Sequence, residues 1–300
     1  MRISSSQIYQ QGVNAILDKQ SELAKTQLQL ATGKRVLAPS DDPTASTRII
    51  DLNQAIETNT QYQRNADFAE TRLSIEETVL TDVGNILQRV RELSVRANNG
   101  TLSAGDRQAI AEEVKTSLSA IFQLANNQDA TGEYLFSGFK TDTVPFTNDG
   151  SGNFSYQGDQ GTRNLQVGVS RQISIGDAGN DVFMKVDDAA GGTINMFEML
   201  DGIITDLEAN NPSATSLTQL DSAIDVVLNT RSTIGARMNA IDAQRNANDS
   251  FSLILQGNRS SLEDLDYAEA VSRFEQQILA LQASQQTFVK IEGLSLFNFL

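Results

Sequence analysis

The sequence contains no cysteine, no histidine and no tryptophan, and only four prolines in 300 residues. Without Cys and His there are no disulfides, no thiolate or imidazole metal ligands, and no nucleophilic scheme that relies on a histidine base. A cysteine-free chain suits reducing and oxidising compartments equally. Aromatic residues make up 6%, which fits helical rods better than a deep globular core. Positive charge is scarce as well: 23 Lys and Arg stand against 38 Asp and Glu, a net charge of −15. Nucleic-acid backbones and anionic membranes repel such a chain, so neither is expected as a partner. Arg89, Arg91 and Arg96 come closest to a basic cluster and read as solvated or subunit-facing helix surface. Long hydrophobic runs are missing too. Met1-Arg2-Ile3-Ser4-Ser5-Ser6 has no apolar stretch of the secretory kind, and nothing approaches the roughly 18–20 apolar residues of a membrane span. The expectation is a soluble chain without a cleaved signal peptide or membrane insertion.

What is present is dominated by a run from Pro43 to Gly100 with no internal proline. Apolar or small residues recur in a 3–4 alternation at Tyr62, Ala66, Ala69, Leu73, Leu80, Val83, Leu87 and Val90, with Glu76 in one slot. This half-heptad spacing places a seam along one helix, suited to packing on another helix. Asp42 is placed to cap it and Pro43 suits its first turn, while Asn98-Asn99-Gly100 stops it. At 1.5 Å per residue the helix spans about 80–90 Å. Its seam must be covered by other helices, and the other end of the chain is the obvious source.

The N-terminal stretch, residues 1–32, reads as an amphipathic helix with its stripe at Val13, Leu17, Ala24, Leu28 and Ala31. Gln20 and Gln27 lie beside that stripe, which suits partly polar contacts between helices of several subunits. Gly33-Lys34 is not a phosphate loop, because the motif needs glycine at position 28, which is Leu28. A third helix begins at Ser103, with Asp106 completing a capping box, and carries Ile110, Val114, Leu118, Ile121 and Leu124 before Asn126-Asn127. Between Gly132 and Gly192 lie eleven of the twenty glycines, with short alternating runs at 134–136, 153–156, 164–167 and 172–175 that predict short strands and turns. Asp177, Asp181, Asp187 and Asp188 invite a calcium reading, but EF-hand spacing is absent and ordinary turn acids are preferred. Helix returns at Met196–Ala209, breaks at Asn210-Asn211-Pro212, and is predicted as one helix from about Ser216 nearly to the end. Its seam is Leu262, Leu265, Ala268, Val271, Phe274, Ile278, Leu281 and Phe288. Leu294-Ser295-Leu296-Phe297-Asn298-Phe299-Leu300 is apolar enough to require burial, preferably against another molecule.

The predicted fold class is mainly α with a β-rich insertion. It is a long antiparallel coiled coil or bundle of paired N- and C-terminal segments, with a small β domain protruding from the middle. The expected domains are an N-terminal assembly helix and turn (1–43), the long helices of a rod (44–131), a β-rich outer domain (132–192) and C-terminal helices pairing with the rod (193–300).

The residues resemble the bacterial flagellins. Leu87-Gln88-Arg89-Val90-Arg91-Glu92-Leu93-Ser94-Val95 with Asn99-Gly100-Thr101 is similar to that family's Q-R-V-R-E-L-x-V and N-G-T signature. Thr32-Gly33-Lys34-Arg35-Val36 with Asp41-Asp42-Pro43, Arg231-Ser232-Thr233-Ile234-Gly235-Ala236, and Leu262-Glu263-Asp264-Leu265-Asp266-Tyr267-Ala268-Glu269 match further family motifs in the right order. The resemblance covers residues 1–139 and 213–300 and leaves the middle unmatched. Within the family it points to the hook–filament junction branch rather than the filament subunit. The Tyr134-Leu135-Phe136-Ser137-Gly138-Phe139 segment, Pro43 in place of the usual alanine, and the Leu296-Phe297-Asn298-Phe299-Leu300 end carry that distinction.

The resemblance implies a structural adaptor of the extracellular flagellum. It implies export by the flagellar type III route, with a chaperone, and assembly as a ring of subunits between hook-associated protein 1 and flagellin. Leu73, Leu80, Val83, Leu87, Val90, Leu262, Leu265, Val271, Phe274, Ile278, Leu281 and Phe288 are the expected assembly seam. The filament subunit itself is the alternative within the family. In another class stands a ligand of a host innate immune receptor, for which Arg89 and Leu93 match the contacted stretch. No cofactor, metal site or catalytic residue is expected. Without His and Cys only carboxylates, Lys or Ser remain for catalysis, and no spacing singles them out.

Overall fold

The computed structural model describes residues 5–150, 152–188 and 191–297. Seven helices and three hairpins follow one another along these residues. In order they are α1 (Ser5–Thr32), α2 (Pro43–Ala97), α3 (Ala104–Ala125), β1 (Phe146–Asn148), β2 (Phe154–Tyr156), β3 (Asn164–Gln166), β4 (Gln172–Ser174), α4 (Gly179–Phe183), β5 (Val186–Asp187), β6 (Thr193–Ile194), α5 (Met196–Glu208), α6 (Thr215–Glu263) and α7 (Tyr267–Phe297). Long helices packed on one another, with a small β-rich insertion, make up the chain as its composition suggested. It divides into a terminal unit, residues 1–58 with 250–300, and a central unit, residues 59–249. Both boundaries lie inside long helices, α2 and α6, rather than in loops.

Local chemistry sets the helix ends. Asp42 accepts the Ala45 N–H at 2.9 Å, and Pro43 occupies the first position, where a missing N–H costs nothing. At the far end Arg107 donates to the Ala97 carbonyl at 3.1 Å and the Asn99 carbonyl at 3.1 Å, satisfying acceptors that the helix leaves open. Ser103 and Asp106 form the reciprocal capping box of α3.

In the terminal unit α1 lies antiparallel on α7. The inward positions of α1 are Gly12, Ile16, Lys19, Leu23, Thr26 and Leu30, and those of α7 are Ala270, Phe274, Gln277, Leu281, Ser284 and Phe288. Both series alternate by 3 and 4, the spacing of a two-helix seam. Gly12 makes room for Phe288, since a Cβ there would sit 2.6 Å from the ring, and Tyr9 lies against the same ring with centroids 5.2 Å apart. The stripe expected on α1 is a different one. Leu17 and Leu28 are more than half exposed, Ala24 and Ala31 are exposed, and Val13 alone of that set is half-buried. Helix α1 carries two apolar stripes one residue apart, a rotation of about 100°, and α7 covers the other one. On α7, Val271 is likewise exposed and Ala270 takes the buried place.

The helix predicted to run on from Ser216 is broken at 264–266. Leu265 N–H leaves the helical ladder and donates to the Gly33 carbonyl at 2.9 Å, while Arg35 N–H donates to the Glu263 carbonyl at 2.7 Å. Asp266 then caps α7 by accepting the Ala268 and Glu269 N–H groups at 2.9 and 3.2 Å. A two-residue ladder thus ties the turn after α1 to the break between α6 and α7.

In the central unit α2 runs antiparallel to α6. As α2 numbers rise, the α6 partners fall: Asn59 with Asn248, Glu70 with Arg245, Glu77 with Arg231, and Arg91 with Asp221. Leu220, Ala223, Val227, Ile234 and Ile241 of α6 are fully buried at heptad intervals. Helices α3 and α5 pack on each other and close the bundle.

The β-rich part forms three separate antiparallel hairpins, β1–β2, β3–β4 and β5–β6, rather than one sheet. The expected strand at 134–136 is not one. Tyr134 forms a single bridge to Gln128, and Leu135 and Phe136 are buried. Phe136, Phe146 and Phe154 meet Phe183 and Phe197 edge-to-face or tilted, and Phe183 stacks on Phe197, at centroid distances of 5.2–5.8 Å, so that ring packing supplements the short hairpins as a source of order. Gly138 has φ +72°, and a Cβ there would strike the Asp159 carboxylate and lie 2.6 Å from the Asp159 carbonyl oxygen. The Asp159 carboxylate accepts the Phe139 and Gly161 N–H groups at 2.8 and 2.9 Å, and these bonds hold its carboxyl below the usual range.

Gly138→Ala is expected to destabilise the central unit by about 1–3 kcal/mol. Gly202→Ala, in the exposed interior of α5 with nothing near its Cβ, is expected to stabilise it by about 0.5–1 kcal/mol. Denaturant unfolding of the two variants checks both signs.

Candidate assembly surfaces

The expected seam residues fall into two groups. Leu73, Leu80, Val83, Leu87 and Val90 are fully buried within the central unit, packed with α6, α3 and α5. Leu265 is buried in the terminal unit. There Leu262, Phe274, Ile278, Leu281 and Phe288 are half-buried, and Val271 is 45% exposed. Leu262 borders an open groove of about 420 Å³ between α2 and α6, with Arg48, Asp51, Leu52, Asn258 and Ser261 as its other walls.

The two units differ sharply in their apolar packing. Among the residues whose side chains are described, the buried hydrophobics of the terminal unit are Ala45, Leu255, Leu265 and Ala270. Yet thirteen of the nineteen exposed large hydrophobics among the described residues lie there. They include Leu17 and Leu28 on α1, Ile50 on α2, Leu253 and Ile254 on α6, and Leu279 and Val289 on α7. Between α1 and α7 the contact is partly polar. Thr26 and Gln29 are buried, and Arg273 Nε and Gln277 Oε1 are buried without a hydrogen-bond partner. A unit of two helix pairs with so small a private core and so much exposed apolar surface is chemically suited to packing against further helices. The apolar end 294–300 lies outside the residues whose side chains are described.

Arg89 and Leu93, read together as a possible contact pair, part company. Arg89 is on the surface and pairs with Glu113 at 2.8 Å and Glu92 at 3.3 Å, which raises its pKa, the Glu113 bond foremost. Leu93 is 2% exposed, because it faces the bundle interior one turn beyond Val90. It is not available to a surface partner of the folded unit.

A buried charged cluster, unforeseen apart from the Glu76 slot in the seam, joins the long helices to the β-rich part. Arg72 of α2 donates to Asp129 at 2.6 Å, to Glu133 at 3.3 Å and to the Tyr134 carbonyl at 3.2 Å. Arg237 of α6 grips both carboxylate oxygens of Asp177, at 2.8 and 2.9 Å. Between them sits Glu76, 1% exposed, accepting the Asp177 N–H at 3.1 Å. Burial above all, and next the Asp177 carboxylate, push the Glu76 carboxyl up to about 8 against the opposing pull of that N–H, Arg237 and Arg72. Two of the other acids that invite a calcium reading are engaged elsewhere, and Asp187 is exposed on β5. Asp181 pairs with Lys185 at 2.6 Å, and Asp188 accepts from Gln219 at 2.7 Å. No metal-type cluster occurs among the described residues, and no described helix is long and apolar enough to cross a membrane.

Comparisons with known proteins align with this geometry. The family model described as the bacterial flagellin N-terminal helical region matches residues 3–141, and that of the C-terminal helical region matches residues 217–300. The chain is 34% identical to flagellar hook-associated protein 3 of Escherichia coli strain K12 over 317 residues, covering 99% of each chain. It is 27% identical over 297 residues to the flagellin of Bacillus subtilis strain 168, covering 95% of this chain and 94% of that one. The crystal structure of the flagellar junction protein FlgL from Legionella pneumophila shares the fold, with a TM-score of 0.61 and 22% identity over 72% of this chain and 99% of that one.

Leu87→Ala is expected to cost the central unit about 2–5 kcal/mol by opening a cavity in its core. Leu17→Ala, on the uncovered face of α1, is expected to change the stability of the isolated chain by less than about 0.5 kcal/mol. Urea unfolding of both variants tests the contrast.

Proposed function

The chain belongs to the bacterial flagellin family, and on that premise we propose that it is the adaptor that joins the flagellar hook to the flagellin filament. The family consists of structural proteins of the flagellum, not enzymes, and the chain is a flagellar component expected to contact other flagellar components. The finer reading assigns it hook-associated protein 1 on one side and flagellin on the other. It assembles as a ring of copies, after export by the flagellar type III route without a cleaved signal peptide and with the help of a chaperone.

One observation carries this reading. Among its described residues the terminal unit exposes Leu17, Leu28, Leu253, Ile254, Leu279 and Val289 while burying few apolar side chains. Self-association and contact with helices of similar design would remove that surface from water, at about 25 cal/mol per Å² buried. The seam of Leu262, Val271, Phe274, Ile278, Leu281 and Phe288 then serves both the α1–α7 pair and its neighbours. The central unit supplies rigidity through Leu73, Leu80, Val83, Leu87 and Val90 rather than contact surface.

The junction role is favoured over the filament subunit by the full-length match to hook-associated protein 3, whose identity exceeds that to flagellin. Recognition by a host receptor is less favoured, because Leu93 is buried and Arg89 is engaged by Glu113 and Glu92.

In a strain lacking the gene, electron microscopy is expected to show bare hooks, with unassembled flagellin in the medium. Absence of filaments with no flagellin anywhere would favour the filament subunit, and normal filaments would overturn the proposal. Complementation with Leu17→Asp, or with a chain lacking residues 285–300, is expected to leave the central unit folded yet fail to restore filaments. Restoration by either would remove the terminal unit from the mechanism.

A further inference from the structure

We propose that Glu76 is a proton-binding site, and that its bound proton fastens the β-rich segment to the paired long helices. Charged groups face this side chain from α2, from the segment after β4 and from α6. Arg72 is one turn earlier on α2, Asp177 follows β4, and Arg237 faces it from α6. Behind Arg72 stand Asp129 and Glu133 from the loop after α3, and Arg163 from the approach to β3.

The charges around Glu76 are already matched. Arg72 is held by Asp129 at 2.6 Å and Glu133 at 3.3 Å, Arg163 by Glu133 at 2.5 Å, and Arg237 by both oxygens of Asp177. Three guanidinium groups therefore meet three carboxylates, and an ionised Glu76 would be a fourth. Its fixed donor is the neutral Asp177 N–H at 3.1 Å. A buried charge without its own counter-ion is far costlier than the neutral acid, which accepts from Asp177 through one oxygen and carries a donor on the other. Loss of the proton places an anion beside the Asp177 carboxylate. The Asp177 N–H and Arg237 favour that anion but do not offset its burial and its repulsion by Asp177, so opening of the segment after β4, which lets water reach Glu76, becomes less costly.

The direction of the pH dependence follows from linkage. The Glu76 carboxyl titrates near 8 in the folded chain and in the ordinary carboxylate range once the segment has opened. Its contribution is complete below that ordinary range and is lost as pH rises towards 8. Beyond that point both states are ionised and the contribution no longer changes.

Amide hydrogen exchange of the full-length chain tests this, read on peptides covering 133–139 and 175–181 and corrected for the intrinsic rate. In the wild type, segment opening is expected to rise by up to tenfold per pH unit from about pH 5 to about pH 8, then to level off. In Glu76→Gln, a neutral side chain of the same shape, the rise is expected to vanish. A Glu76→Gln profile parallel to the wild type would overturn the proposal. So would greater opening of that variant at every pH, which would make Glu76 an anionic partner of Arg72 and Arg237. Infrared spectroscopy of the wild type supplies a reading that does not depend on the variant folding. A protonated carboxyl band is expected at pH 7 and lost above about pH 8, and its absence at pH 7 would also overturn the proposal.

Discussion

Leu73, Leu80, Val83, Leu87 and Val90 leave water only if α6 lies antiparallel along α2, and the rest of the central unit takes its position from that pairing. Once Glu77 meets Arg231 and Arg91 meets Asp221, the register of the two helices is set. A slip of one residue would turn each seam by about 100° and expose it. Helices α3 and α5 then close the remaining faces. The β-rich segment is held from beneath by the side chains that these helices present, Arg72, Glu76 and Arg237 among them. The three hairpins share no sheet, so their mutual order depends on the phenylalanine cluster and on this charged base rather than on strand pairing.

Much of this is legible in the residues. A seam repeating for many turns, a proline at the first position with aspartate before it, and asparagines and glycine at the end fix α2 almost to the residue. The capping box gives the start of α3. Glycine density and alternation locate three of the strands. What escapes has a physical reason in each case. Helix α1 has two apolar stripes, and periodicity alone does not say which one α7 covers. The break between α6 and α7 contains neither glycine nor proline. It exists because Gly33 and Arg35, far away in sequence, offer Leu265 and Glu263 better partners than another helical turn. Tyr134-Leu135-Phe136 alternates like a strand, yet Phe136 enters an aromatic cluster and the backbone bonds to scattered partners, Thr141, Asn127 and Gly179, rather than to one neighbouring strand.

The candidate surfaces divide in the same way. The central seam was visible as a pattern, and its burial follows from that pattern. Leu93 continues the same interior face, so the reading that placed it on a surface fails on helical geometry. The charged cluster was visible only as a misfit, one glutamate in an apolar seam. Its partners Asp177 and Arg237 come from segments that no local pattern connects. The contrast between a central unit rich in buried side chains and a terminal unit poor in them is a property of packing, and it emerges only once each stripe is assigned to its neighbour.

The ladder between the turn after α1 and the α6–α7 break has a consequence for the time course of folding. Arg35 reaches the Leu262 carbonyl at 2.8 Å across a separation of 227 residues, and α1 finds its helical partner only in α7. Contacts of that sequence separation carry a large loop-closure cost and form late. The central unit, whose α2 and α3 are neighbours in sequence, can begin to condense earlier. The helix at one end of the chain therefore waits for the helix at the other, and through that interval α1 remains a solitary amphipathic segment, marginal in water.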